Sequence, residues 1–162
     1  MLNVYLPGDY AKRPEELLLL PGVGAAVQRL REAGYLTVLI SNQQGVGKGL
    51  MTLGELDAVT EKLRAEVSLD AVYYCPHLKS EACSCRKPQP GMLLQAAREH
   101  DIELAASVFI GDTPTDAQAA QAAGVGFILV LSGQTKTAEE FLPRPATVAR
   151  DLTEAARGLL GS

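Results

Sequence analysis

Several features that would indicate particular classes of protein are scarce in this sequence. Its 162 residues contain 15 lysines and arginines against 19 aspartates and glutamates, which gives a formal net charge of −4. Without a basic excess, no surface would neutralise a nucleic-acid backbone, so we expect no nucleic-acid partner. The longest apolar stretch, residues 16–27, is interrupted by Pro21, Gly22 and Gly24, whereas a membrane-spanning helix needs about 20 apolar residues. We therefore expect no membrane segment.

Signals for export and for disulfide-stabilised folds are also missing. The first residues, Met-Leu-Asn-Val-Tyr-Leu-Pro, have neither the basic start nor the apolar core of a signal peptide. All three cysteines fall within residues 75–85, and an odd, clustered set favours metal binding over a disulfide framework. These absences predict a cytoplasmic protein. The 47% hydrophobic content is sufficient for one core, so we expect residues 1–162 to form a single domain.

Short apolar runs alternate with helical patterns along the chain. Runs at 36–40, 71–74, 108–110 and 127–131, with a weaker one at 147–149, are bounded by turn residues, as buried parallel strands are. Helices are predicted from Val23 to a cap at Gly34, from a capping box that begins at Thr52, and at 91–100, 115–123 and 152–160. The alternation predicts an α/β fold with a Rossmann-like, doubly wound parallel sheet, whose ligands bind beyond the carboxyl ends of the strands.

Four potential metal ligands lie within eleven residues, directly after a predicted strand. They are Cys75, His77, Cys83 and Cys85. Thiolates and imidazole prefer zinc to magnesium or calcium, and four protein ligands fill a tetrahedral site and leave no open position. We therefore predict a structural zinc site in a loop insertion. The alternative, buried cysteines beside a surface histidine, is disfavoured by the polar residues around the ligands.

Polar residues that could handle a phosphate group follow the first predicted strand and the cysteine segment. Ser41, Asn42 and Gln43 could donate hydrogen bonds to a phosphate oxygen, although such residues are also common in turns. Arg86 and Lys87 would be held in place by a rigid metal loop. Lys87 could then act as a point charge for a phosphoryl group and Arg86 as a fork for a second anion. A solvated basic pair is the alternative.

Two carboxylates follow the third predicted strand. Asp112 lies at the end of that strand in a loop flanked by glycine, a position suited to binding a hard cation such as magnesium. Asp116 falls in the first turn of the next predicted helix. It is a second candidate magnesium ligand, or it stabilises the helix dipole instead.

Taken together, these motifs make nearly the whole chain resemble the haloacid dehalogenase (HAD) superfamily, in the branch of the heptose bisphosphate and histidinol-phosphate phosphatases. Ser41-Asn42-Gln43 looks like the second family motif, Lys87 like the third and Gly111-Asp112 through Asp116 like the fourth, while Cys-Pro-His with Cys-x-Cys looks like the zinc loop of this branch. The resemblance implies that Ser41 and Lys87 bind the phosphoryl group and that Asp112 binds Mg²⁺. It also implies that Arg86 helps to select the substrate.

The first motif of the family has no counterpart here. The family opens with an apolar strand followed by Asp-x-Asp-Gly-Thr, in which the first aspartate attacks phosphorus and the second is the general acid/base. Met1-Leu2-Asn3 aligns just past that motif, and Asp9, six residues beyond Asn3, is not nominated as a substitute. The resemblance implies that the central strand of the sheet is missing, and we expect the 162-residue chain to be inactive as it stands. Our hypothesis is that the domain is N-terminally incomplete.

The resemblance implies a metal-dependent phosphatase of a small phosphorylated metabolite. The best candidate substrate is D-glycero-D-manno-heptose 1,7-bisphosphate, hydrolysed at the 7-phosphate through a phospho-aspartyl intermediate in the complete protein. Histidinol phosphate is an alternative substrate. A further alternative, from a different class, is a non-catalytic, zinc-stabilised module that binds a phosphorylated ligand. The sequence does not indicate the oligomeric state.

Overall fold

The computed structural model describes residues 1–4, 10–141 and 145–161, so Asp9 lies outside the described residues. The strands are β1 (Val38–Asn42), β2 (Ala71–Cys75), β3 (Val108–Gly111), β4 (Gly126–Val130) and β5 (Thr147–Ala149). The helices are α1 (Val23–Glu32), α2 (Gln44–Gly47), α3 (Leu53–Glu66), α4 (Gly91–His100), α5 (Pro114–Ala123) and α6 (Leu152–Leu160). Short 3₁₀ helices occur at Pro14–Glu16, Lys79–Glu81, Leu104–Ala106 and Ala138–Glu140.

The predicted alternation of strands and helices is confirmed, with shifts of one residue at several element ends and two larger differences. The first strand was predicted at 36–40 but begins at Val38 and continues through Asn42, because the ladder to β2 extends until the Gln43 N–H donates to the Cys75 carbonyl oxygen. The four-residue α2 was not predicted, since its glycine-rich sequence carries no helical periodicity. The capping box at Thr52 is present, with its hydroxyl accepting from the Glu55 N–H.

The strands form two separate parallel sheets. One has the order β1-β2 and the other the order β3-β4-β5. Among the described residues, no backbone ladder joins β1 to β3, so each of these strands has an unpaired edge. The predicted parallel α/β fold is confirmed, but its strands form two halves that stay apart and are not joined between β1 and β3.

Helices on both faces hold the two halves together. On one face α1 packs against α6, and their apolar side chains share a core cluster with α3 (Val27, Leu30, Leu56, Val59, Leu63, Leu152 and Ala156). On the other face α4 packs against α5, and Met92, Leu93 and Ala96 cluster with Ala119 and with Ile40 of β1. None of the helices in the described ranges is both long and apolar enough to cross a membrane.

Candidate active site and metal cluster

A groove of about 1040 Å³ separates the facing edges of β1 and β3. Both strands line it along their whole length, and α1, α3 and α6 contribute apolar side chains to it. At the carboxyl ends of the strands the lining becomes polar and includes Ser41, Asn42, Lys87, Asp112 and Asp116. The structure thus brings together, at one end of one groove, residues that are up to 75 positions apart in the sequence (Asp116 minus Ser41).

The Lys87 ammonium group is fixed at this end of the groove by three contacts. Its Nζ donates to Asp116 Oδ1 over 2.6 Å and to the Ile40 carbonyl oxygen over 3.2 Å, and it lies 5.4 Å from the centroid of the Phe109 ring. The side chains of Lys87 and Asp116 are 11% and 5% exposed. Because a buried charge is costly unless it is paired, each of these two groups depends on the other.

Asn42 holds the Lys87 backbone against β1. The Lys87 N–H donates to Asn42 Oδ1 over 3.0 Å, and Asn42 Nδ2 donates back to the Lys87 carbonyl oxygen over 3.1 Å. Both functional groups of the Asn42 amide are therefore used within the protein. The neighbouring Ser41 hydroxyl oxygen accepts from Gln43 Nε2 over 3.2 Å, which leaves the Ser41 O–H as a donor toward a ligand.

Arg86 is oriented by two hydrogen bonds. Its Nη1 donates to the His77 carbonyl oxygen over 3.3 Å and its Nη2 to Gln44 Oε1 over 3.2 Å. The guanidinium group has further N–H donors that could bind a planar anion. Gln44 was not among the predicted site residues; no pattern in the sequence indicates that it lies against Arg86, which is 42 positions away.

Asp116 caps α5 as well as pairing with Lys87. Its Oδ2 accepts from the Thr113 hydroxyl over 2.8 Å and from the N–H groups of Asp112 and Thr113 over 3.1 and 3.0 Å. Asp116 is thus the third helical residue of a capping box that begins at Thr113. Both oxygens of the Asp116 carboxylate therefore accept hydrogen bonds from protein groups. One of these bonds, from the Asp112 N–H, fixes the backbone of Asp112.

Asp112 is the carboxylate at the carboxyl end of β3. Its Oδ2 accepts from the Gln134 N–H over 2.7 Å, and Oδ1 accepts no hydrogen bond from the described residues. A Cβ atom at Gly133 would lie 1.9 Å from Asp112 Oδ2, so the loop after β4 can approach this carboxylate because residue 133 is glycine. Magnesium is held in proteins by one or two carboxylates together with water and substrate phosphate. Asp112 Oδ1 could supply one carboxylate ligand to a magnesium ion, and the other ligands would come from elsewhere.

Cys75, His77, Cys83 and Cys85 converge directly after β2. Their ligand atoms all lie within 4.8 Å of one another. The three Sγ–Sγ distances are 2.8, 3.4 and 3.6 Å, and His77 Nδ1 lies 3.5 and 3.2 Å from the sulfurs of Cys75 and Cys85. Zn–S bonds of about 2.3 Å in a tetrahedron place sulfurs roughly 3.7 Å apart. The cluster could therefore hold a metal ion with small adjustments.

The thiols of this cluster differ in acidity. Burial and the neighbouring sulfurs raise the pKa of Cys85 to about 12, and burial raises that of Cys75. Burial also opposes ionisation of Cys83, but hydrogen bonds from the Arg86 N–H and the Cys85 thiol outweigh it, and the pKa of Cys83 falls to about 7. Metal ligation requires thiolates, so a bound dication would offset the cost of ionising the two less acidic thiols.

Comparison with known proteins identifies the family. Residues 84–155 match the model of the HAD-hydrolase-like family. The chain is 37% identical over 158 residues to the D-glycero-beta-D-manno-heptose-1,7-bisphosphate 7-phosphatase of Bordetella bronchiseptica, with 93% of this chain and 88% of that protein covered. It is 40% identical over 150 residues to the enzyme of the same name from Yersinia pestis, with 85% and 80% covered.

A crystal structure of the B. bronchiseptica D,D-heptose 1,7-bisphosphate phosphatase, complexed with magnesium and phosphate, superposes with a TM-score of 0.92. The two are 36% identical, and the superposition covers 99% of this chain and 93% of the other. The two halves of the sheet therefore lie, on either side of the groove, where that phosphatase places the matching residues. The chain belongs to the HAD-like hydrolases, in the branch of the heptose bisphosphate phosphatases.

Proposed function

We propose that residues 1–162 form one domain of a phosphatase that hydrolyses the 7-phosphate of D-glycero-β-D-manno-heptose 1,7-bisphosphate with a carboxylate nucleophile that the described residues do not supply. The observation that carries this proposal is the meeting of the Ser41 hydroxyl, the Lys87 ammonium group and the Asp112 carboxylate at one end of the groove. A hydroxyl donor and a fixed cation suit the oxygens of a phosphoryl group, and a carboxylate suits a magnesium ion that such a group also binds. The choice of substrate is inferred from the relatives, which are named as phosphatases of this heptose bisphosphate.

The roles of the residues follow from their contacts. Ser41 would donate to a phosphoryl oxygen, Asn42 and Asp116 would hold Lys87 in place, and Gln43 would orient Ser41. Arg86, held by Gln44 at the groove mouth, would bind a second anionic group of the substrate. Mg²⁺, when bound at Asp112, would neutralise charge on the phosphoryl oxygens.

We also propose that the ion held by the cysteine cluster is zinc and that its role is structural. Four protein ligands of the thiolate and imidazole type fill a tetrahedral site and leave no position for substrate. The Arg86 guanidinium bonds to the carbonyl oxygen of His77, a cluster ligand, so a bound zinc ion would stiffen the segment that carries Arg86 and Lys87. Zinc would thus contribute to substrate binding indirectly.

Covalent phosphoryl transfer also needs a carboxylate that can attack phosphorus, and the two described carboxylates in the groove are engaged elsewhere. Asp116 is paired with Lys87, and Asp112 accepts from the Gln134 N–H through Oδ2 and would bind magnesium through Oδ1. This observation favours a second candidate function, a zinc-stabilised module that binds a phosphorylated ligand without hydrolysing it.

Turnover measurements separate the two functions. The 162-residue protein is tested with heptose 1,7-bisphosphate and with histidinol phosphate, alone and with an added N-terminal apolar strand that ends in Asp-x-Asp. The phosphatase proposal expects negligible turnover by the chain alone and at least about a 100-fold gain with the added strand. Turnover of histidinol phosphate but not of heptose 1,7-bisphosphate would identify histidinol phosphate as the substrate. Ligand binding without turnover in both proteins would favour the non-catalytic module.

A further inference from the structure

Three side chains around the start of α5 form a short chain of hydrogen bonds. Asp116 Oδ2 accepts from the Thr113 hydroxyl over 2.8 Å, and the hydroxyl oxygens of Thr113 and Thr115 lie 2.9 Å apart. A hydroxyl group carries one hydrogen and two lone pairs. Because the hydrogen of Thr113 is donated to Asp116, the hydrogen between the two threonines belongs to Thr115.

The ion pair with Lys87 fixes the direction of this chain of hydrogen bonds. Asp116 accepts from the Lys87 ammonium group over 2.6 Å, and two backbone N–H groups also donate to it. With these donors directed at it, the Asp116 carboxyl group is an ionised carboxylate that donates no hydrogen. The second lone pair of the Thr113 hydroxyl accepts from the Asp116 N–H over 3.3 Å. The Thr113 hydroxyl therefore has no donor or acceptor left for a ligand.

The Thr115 hydroxyl consequently presents an acceptor and no donor. Thr115 is half-buried and lines the groove, and its only hydrogen bond to the described residues is the one to Thr113. Its free lone pairs can accept from an O–H or N–H group of a ligand. They repel the oxygens of a phosphate dianion, which are acceptors themselves. The wall of the groove at Thr115 therefore suits a part of the ligand that is not phosphate.

The side of the groove that carries β1 and α2 has the opposite polarity. Ser41 keeps its O–H as a donor there, because its oxygen accepts from the side chain of Gln43. Three cations also line the groove (Lys48, Arg86 and Lys87), and they outnumber the two carboxylates of the lining. Phosphate groups are therefore favoured beside β1. At the acceptor on α5, the excess of positive charge disfavours an ammonium donor and favours a neutral hydroxyl.

We propose that Thr115 is a specificity-determining residue, whose oxygen accepts a hydrogen bond from a hydroxyl group of the substrate. This inference rests on the proposed function, since it requires a phosphorylated ligand in the groove. The cations attract any bisphosphate, whereas the acceptor at Thr115 favours one that also carries hydroxyl groups. A ligand without a hydroxyl would leave this acceptor unpaired, and a site with an unpaired polar group discriminates against such a ligand.

The experiment measures the binding of two ligands to the 162-residue protein by isothermal titration calorimetry with magnesium present. One ligand is heptose 1,7-bisphosphate. The other is heptane-1,7-diol bisphosphate, which carries two phosphates on a seven-carbon chain but has no hydroxyl group. Thr115→Val replaces the hydroxyl with a methyl group of similar size. We expect this variant to bind the heptose bisphosphate about tenfold more weakly and to change the affinity for the diol bisphosphate less than about twofold.

Two control variants make the result specific. Thr115→Ser keeps the hydroxyl and should keep the affinity for both ligands to within about twofold. Thr147→Val makes the same replacement at an exposed position of β5 that does not line the groove, and it should change neither affinity. Thr115→Ala takes the place of Thr115→Val if that variant does not fold.

Each remaining outcome decides the proposal. Equal weakening of both bisphosphates by Thr115→Val would overturn it and would assign the hydroxyl to a magnesium-bound water or to the fold. Weakening confined to histidinol phosphate would overturn it in favour of an ammonium donor.

No effect of Thr115→Val, or no binding of either bisphosphate to the natural protein, would also overturn the proposal. The turnover measurement described above separates this inference from the proposed phosphatase. Selective weakening without turnover supports the role of Thr115 and counts against the phosphatase. Turnover without selective weakening overturns the role of Thr115 alone.

Discussion

The four ligands of the cysteine cluster come from one stretch of eleven residues, whereas the polar groups of the groove come from three segments on two halves of a divided sheet. The cluster is therefore complete as soon as its own segment is folded. The phosphate site depends on how β1, β3 and the Lys87 loop are held relative to one another. The metal cluster can therefore form without the correct arrangement of the two halves of the sheet, whereas the phosphate site cannot.

The largest expected effect comes from a substitution in the cysteine cluster, which tests that site without changing the residues of the groove. Cys85→Ser removes one of the four ligands, and we expect loss of bound zinc and of at least about 3 kcal/mol of unfolding free energy, since structural zinc supplies folding energy. Zinc content and denaturant unfolding are the measurements. Ser84→Ala, at the adjacent position, is the matched control and should retain both. Unchanged stability after Cys85→Ser or after chelation would show that the metal is not structural.

The next effect concerns the ion pair at the carboxyl end of the groove. Lys87→Met leaves Asp116 buried without its cation, and we expect a loss of about 3–5 kcal/mol in unfolding free energy. Adding Asp116→Asn removes the uncompensated charge and keeps an amide oxygen for the Thr113 N–H, so the double variant should regain at least half of the loss. Equal losses for the single and the double variant would contradict the burial argument.

A third prediction tests the β1 half away from both sites. Asp70 accepts hydrogen bonds from the Thr37 N–H and hydroxyl and pairs with Arg31 of α1. Burial opposes its ionisation, but these donors outweigh burial and lower the pKa of Asp70 below its ordinary value. The resulting stabilisation is present above pH 4 and is lost as the pH falls through the lowered pKa.

Asp70→Asn should therefore cost about 1–3 kcal/mol at pH 7 and progressively less in acid, while zinc content stays unchanged. Unfolding curves at several pH values between 2 and 7 measure it. Asp57→Asn, at an exposed position of α3, is the control and should change stability little at any pH. A constant difference between Asp70→Asn and the natural protein across this range would rule out the ionic contribution.

The smallest expected effects compare two glycines. At Gly133 a methyl group would overlap Asp112, so Gly133→Ala should cost about 1–2 kcal/mol and should weaken magnesium binding. At Gly158 of α6 an added Cβ meets no atom within 4 Å, so Gly158→Ala should stabilise the protein by about 0.5–1 kcal/mol. Thermal unfolding and magnesium titration measure both. Similar behaviour of the two variants would show that the loop at Gly133 yields easily.

Much of the fold could be predicted because it depends on local patterns. Helix α4 matches its predicted bounds of 91–100, and the four ligands were recognised from spacing within one segment. Contacts between distant segments could not be predicted. The Asn42 amide bonds to the backbone of Lys87, 45 positions away, and Asp116 is paired with Lys87 over 29 positions. No pattern of residue types specifies which polar groups will form hydrogen bonds or ion pairs with one another when strands come together.

The end of β1 shows the same limit on a smaller scale. Ser41 and Asn42 were predicted to follow the strand, because serine and asparagine are common in turns. In the structure they belong to it, and Asn42 pairs in register with Cys75. Pairing with a neighbouring strand outweighed local preference there, as it commonly does in sheets.

The packing of α1 against α6 has a consequence for synthesis of the chain. Helix α1 is the first of the six to leave the ribosome and α6 is the last, yet their side chains share one core cluster. The apolar face of α1 therefore remains uncovered until α6 has been synthesised, whereas the cysteine segment can take up its metal much earlier. We expect nascent chains stalled after β5 to carry zinc and to bind a dye for exposed apolar surface, and release of the 162-residue chain to remove the dye but not the zinc.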